Sequence, residues 1–132
     1  DFSIMYDEPK AVRMYQLYRS RWLARFWQEF DIKIIPVIQG SLAEDKQIIL
    51  GTLPKHCPVV AVQCRTISAR SPKRHWSYFK QLLEDTIEVV NPKTIVIYGG
   101  LEHKKRLGEL PSGCDYVLLD AYMTKRRHRM KE

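Results

Sequence analysis

Cysteine is scarce. The chain of 132 residues carries three, Cys57, Cys64 and Cys114, and no two stand at Cys-x-x-Cys spacing. An odd count without that spacing offers no redox or zinc motif, and a reducing compartment is expected. Six glycines and seven prolines are too few for a low-complexity or collagen-like chain. Long apolar runs are also missing: the stretches from Asp31 to Ile38 and from Cys57 to Cys64 stop far short of the roughly 20 residues that span a bilayer. An integral membrane protein is therefore not expected. The four histidines, His56, His75, His103 and His128, are scattered, with no His-x-His or His-Glu-x-x-His, so spacing assembles no metal site and no two-histidine nickase motif. No glycine-rich loop ends in Lys-Ser or Lys-Thr, which leaves out a P-loop.

What is present suits one globular domain. Hydrophobic residues make up 45% and aromatics 11% of the chain, enough for folding to bury roughly two-thirds of the unfolded surface. The net charge is +7, from 22 basic and 15 acidic residues. It is unevenly placed, because residues 121–132 hold five basic residues against Glu132 and so supply most of it. The expected organisation is one α/β domain over residues 1–120 followed by a basic tail, 121–132. The chain opens on Asp1 in what reads as the middle of an element, and a segment upstream is expected.

Phe2 to Tyr6 reads as a short apolar strand, and Asp7-Glu8-Pro9 as a helix start with a capping carboxylate. From Pro9 to Phe30, Ala11, Tyr15, Tyr18, Trp22 and Phe26 recur every three or four residues, which predicts a helix with these rings as its core face. Ile32 to Ile38 reads as a strand that Pro36 places near an edge or makes locally irregular. Gln39 to Pro58 is a long connection with a short strand expected at Gln47 to Leu50. Val59 to Gln63 is a buried strand, and Ser71-Pro72 opens a second helix with the stripe Trp76, Phe79, Leu83, Ile87 and Val90. Thr94 to Tyr98 and Tyr116 to Leu119 are the remaining strands, separated by the basic cluster His103, Lys104, Lys105 and Arg106. Continuous β-branched runs between amphipathic helices imply parallel pairing. The expected architecture is a three-layer, open, mostly parallel α/β sheet, with a partial barrel as the alternative; Ile34, Val60, Val62, Ile95, Ile97 and Val117 should be buried in it.

Ligands in such a sheet bind at the carboxyl ends of the strands. That rule puts Asp7, Asp120 and Tyr98 forward as catalytic candidates. Two carboxylates at one edge could hold a magnesium ion, although capping and strand closure explain Asp7 and Asp120 equally well, and Tyr98 reads as core. The second candidate is the start of the second helix, where Arg70, Ser71, Lys73 and Arg74 crowd free backbone N–H groups that favour an anion. In the tail, Lys125, Arg126, Arg127 and Arg129 could follow a phosphate backbone. Arg19 falls on the aromatic side of the first helix and is expected to be a buried anchor, because a charge there needs a partner.

Asp1-Phe2-Ser3, Pro9, Tyr18-Arg19-Ser20-Arg21, Phe26-Trp27 and Ile35-Pro36 resemble, in order and spacing, a domain of unknown function found mainly in phages, prophages and other mobile elements. Its members carry patterns like PDFS, N-x-Y-R-x-R, Y-W and V-I-P-T. Gly51, Pro54-Lys55 and the run from Asn91-Pro92-Lys93-Thr94 to Tyr98-Gly99 are similar to its later G-I-P-K and P-x-T-hydrophobic-Y-G segments. Gln16 replaces the usual Asn, and Val37 and Gln39 stand where a Thr and an aromatic are usual. The resemblance implies a protein of a phage or mobile element in a bacterial cytoplasm, with no established activity. With the charge pattern it favours binding of nucleic acid or another polyanion. The rival expectations are a metal-dependent or phosphate-directed hydrolase and a non-catalytic interaction module; the oligomeric state is open.

Overall fold

In a computed structural model of the chain, all residues are described except 1, 6, 40–42, 65, 66, 68–72, 102, 123–125 and 127–132. The elements run α1 (Lys10–Gln28), β1 (Val37–Ile38), a 3₁₀ turn (Ala43–Asp45), α2 (Lys46–Gly51), β2 (Val59–Gln63), α3 (Lys73–Val90), β3 (Thr94–Tyr98), α4 (Lys104–Leu107) and β4 (Asp115–Leu119). The four strands are parallel and lie in the order β1-β2-β3-β4. The sheet is open, so the fold is α/β and not a closed barrel.

Neighbouring strands that follow one another in sequence, each crossing right-handed in the same direction, carry their connections on one face of the sheet. The core shows this. Val60, Val62, Ile95, Ile97 and Ile38 point to one side and cluster with Leu50 of α2, Phe79 and Leu83 of α3, Leu107 of α4 and Leu17 of α1. Across the sheet the inner row runs Ile38, Val62, Ile97, Leu118, and the outer row Val37, Ala61, Val96, Val117. α2, α3 and α4 pack beside one another on the inner face of the sheet. Val117 is 43% exposed rather than buried, because its place in the register puts it on the outer row. Ile34 is half-buried ahead of β1.

Several elements differ from the sequence reading. β1 is cut to two residues because Pro36 has no N–H to give a ladder; its carbonyl still accepts from the Ala61 N–H at 2.9 Å. Residues 2–5 form no strand, and the Ile4 N–H donates to Gln39 Oε1 at 2.9 Å. Gln47 to Leu50 is helical. Asp45, Ile49, Leu50 and Leu53 are buried, a spacing of one helical face, which overrides the β preference of two adjacent isoleucines.

The largest difference is the roll of α1. Arg13 and Leu17 are its buried residues, whereas Tyr15, Tyr18, Trp22 and Phe26 face outward. Arg13 holds that orientation: Nε donates to Asp45 Oδ2 at 2.5 Å, Nη2 to Asp45 Oδ1 at 3.2 Å and to Glu44 Oε1 at 2.6 Å, and Nη1 to the Glu8 carbonyl at 2.5 Å. Asp45 is fully buried. The bond to Asp45, with its charge, holds the Arg13 proton more tightly than usual against the opposing effect of burial.

Candidate functional site

α3 is amphipathic, with Phe79, Leu82, Leu83, Thr86 and Val90 buried. Its first turns therefore carry Lys73, Arg74 and Ser77 on the outside, with Lys80 half-buried. α4 is a single turn. Leu107, 1% exposed, pins it to the core, and Lys104, Lys105 and Arg106 are left outward. Gly108, at φ 56°, ends it. The two elements meet through rings, the Trp76 indole standing edge-on to His103 with centroids 5.3 Å apart. Between them lies a groove of about 340 Å³ lined by Lys73, Trp76, Ser77, Lys80 and Arg106. A second, of about 450 Å³, is lined by Leu101, His103, Lys104, Lys105 and Arg106. Among the described residues no carboxylate lines either one. Trp76 Nε1 is buried and has no acceptor among the described residues.

The sheet places this site. α3 follows β2 and α4 follows β3, so both begin beyond the carboxyl ends of parallel strands, where α/β sheets bind ligands. The turn after β3 is tight. Gly99 takes φ 82° and donates its N–H to the Leu119 carbonyl at 2.8 Å. A Cβ on Gly100 would stand 2.9 Å from Leu118 Cδ2 and 3.0 Å from the Ile97 carbonyl oxygen, so a side chain does not fit there.

Of the residues singled out in the sequence, Lys73 and Arg74 lie exposed at this edge. Arg70, Ser71, Lys125, Arg127 and Arg129 fall outside the described residues; Arg126 is described and exposed. Asp7 lies three residues after Ile4, whose N–H donates to Gln39 just beyond β1, and Asp120 directly follows β4 at the other edge of the sheet. Among the described residues no three of His, Cys, Asp and Glu converge as metal ligands. Tyr98 sits on the outer face of β3, and its hydroxyl accepts from the Tyr122 N–H at 2.8 Å. Arg19 is exposed and not buried: its guanidinium lies 4.4 Å over the Phe2 ring and 5.6 Å from Tyr15, and Nη1 donates to Gln16 Oε1 at 3.3 Å. The buried arginine is Arg13. The expectation failed because it took the aromatic side of α1 as the inner one.

Residues 1–115 match the profile of a domain of unknown function, DUF4417. The chain belongs to the DUF4417 family. Relatives of this chain include the Gene 1 protein of Mycobacterium phage L5, 28% identical over 127 residues that make up 96% of this chain and 52% of that protein. The Gene 1 protein of Mycobacterium phage D29 is 24% identical over 132 residues, 100% of this chain and 46% of that protein. This DUF4417 chain thus spans about half the length of the curated relatives it matches, and it is a phage-associated domain. No solved structure matches it. Among the described residues no helix is long and apolar enough to cross a membrane. Within the DUF4417 match lie both grooves and the whole of α1. The sequence showed the basic run from His103 to Arg106, but Lys80 and Trp76 had no signal as site residues. Their partners are more than 20 residues away and meet them only through the fold.

Proposed function

We propose that this DUF4417 domain binds a nucleic acid or a similar polyanion in the basic groove between α3 and α4. The observation that carries the reading is the convergence of Lys73, Lys80 and Arg106 around Trp76. Cations gathered on one edge displace counterions from phosphates and need no sequence code. Trp76 adds an indole N–H with no acceptor among the described residues, a donor for a phosphate or base oxygen. Lys104 and Lys105 of the neighbouring groove extend the positive edge, and the basic tail adds charge by sequence. The hydrolase reading has no such cluster behind it: Asp7 precedes α1 and Asp120 follows β4.

The test is titration of labelled duplex and single-stranded DNA by fluorescence anisotropy over a salt series, with heparin as a non-nucleic polyanion. The logarithm of affinity should fall linearly with the logarithm of salt, by about 0.9 per phosphate contact on duplex DNA. Lys80→Gln and Arg106→Gln should each flatten the slope by about one contact, and removal of residues 124–132 by several. Equal binding of heparin assigns the groove to polyanions in general. Absence of binding to all three at low salt, or a slope unchanged by both groove variants, refutes the proposal.

A further inference from the structure

α1 is amphipathic with its apolar side outward. Tyr15, Tyr18, Trp22, Phe26 and Phe30 are 41–64% exposed and follow one another at steps of three or four residues, the seam a helix offers to another helix. The rings already group in two clusters along this ridge: centroids are 6.4 Å apart for Tyr15 and Tyr18, 5.6 Å for Trp22 and Phe26, and 5.1 Å for Phe26 and Phe30. At roughly 200 Å² per aromatic side chain, the five expose about 550 Å², near the upper range of the largest apolar patch on an ordinary monomer.

We propose that this ridge is the interface of a homodimer, with α1 packed against α1 of a second copy, antiparallel about a two-fold axis. Two copies would bury about 1,100 Å² from the rings alone, which clears the roughly 1,000 Å² expected of a specific interface; the stems of the exposed Arg19 and Arg25 add to it. The sequence is self-complementary in that arrangement. With Arg19 opposite Trp22 of the second copy, Tyr15 falls opposite Phe26, Ala11 near Phe30, and Arg25 opposite Gln16. A small residue then faces a ring, and a guanidinium faces an indole. A parallel pairing in register would set Arg19 on Arg19 and Arg25 on Arg25. The interface is separate from the basic groove, so the two proposals stand or fall independently.

Sedimentation equilibrium of the 132-residue chain, from micromolar to submillimolar concentration at low and high salt, tests the proposal. A dimer should form with concentration and persist at high salt, because burial of apolar rings is not screened. Trp22→Glu should weaken association by at least about thirtyfold, the scale of a central aromatic anchor. It should leave circular dichroism and low-concentration melting unchanged, since the ring is exposed in the single chain. Trp22→Phe should retain the dimer. A chain that stays monomeric throughout overturns the proposal, as does a dimer that survives both Trp22→Glu and Phe26→Glu. Monomeric protein whose single-stranded DNA binding is lost in Trp22→Glu would reassign the ridge to base stacking.

Discussion

Asp45→Ala removes the counter-ion that seats α1. The Asp45 side chain is fully buried and accepts two bonds from Arg13 at 2.5 and 3.2 Å, so its loss leaves a guanidinium in the interior with fewer acceptors than donors. Removing one partner of a buried pair costs about 3–5 kcal/mol. Glu44, 59% exposed, still accepts from Arg13 at 2.6 Å, which places the expected cost at the lower end. At about 2.1 cal/mol/K per residue, the unfolding entropy of 132 residues is about 0.28 kcal/mol/K. A 3 kcal/mol loss therefore lowers Tm by about 11 °C. Differential scanning calorimetry compares four proteins, the parent, Asp45→Ala, Arg13→Met and the double variant Arg13→Met/Asp45→Leu. The double variant should recover most of the loss, since a packed apolar pair replaces a buried ion pair at little cost. Arg19→Met, on the exposed side, serves as the control and should move stability by no more than about 0.5 kcal/mol. The reasoning fails if Asp45→Ala melts with the parent, if the double variant is no better than the single ones, or if Arg19→Met is the damaging change.

Two further outcomes are expected. Gly100→Ala should cost about 1–3 kcal/mol in urea unfolding, because its Cβ would meet the Ile97 backbone oxygen as well as the movable Leu118 side chain; an unchanged midpoint would mean that the turn after β3 gives way freely. In alkali, burial raises the proton affinities of Tyr116 and Cys114, so the unfolded chain releases these protons before the folded one does. Their stabilising contribution is complete below the ordinary thiol and phenol values and declines as pH rises past about 9 to 10. Tyr116→Phe, which also gives up the bond to the Pro111 carbonyl at 2.7 Å, should show a shallower decline than the parent, and an equally steep one would exclude Tyr116 as a contributor.

Strand placement was legible where runs were β-branched and bounded by turn residues. β2 and β3 lie where the sequence put them, and Asn91, at φ 52°, ends α3 as expected of a residue that tolerates the left-handed region. Parallel pairing followed from apolar residues on both faces of each run. The sites were less legible. Lys73 and Arg74 stand out in the sequence beside a helix start, but the groove that Lys73 lines depends on α4 docking by Leu107 and on the Trp76–His103 contact, which join segments remote in sequence.

The amino-acid sequence alone determined the α/β class, the strands β2, β3 and β4, the span of both long helices and the positive charge near the end of the chain, because each is written in local periodicity and composition. Tertiary structure decided which way α1 rolls. A helical stripe of aromatics shows that a helix has an apolar side but not what that side faces, and here one buried ion pair, Arg13 with Asp45, turns the polar side inward. The same holds for the sheet. Alternating apolar residues mark two faces, but a strand order that advances in one direction gathers the described helices on a single face, and that order arises from contacts no local pattern contains.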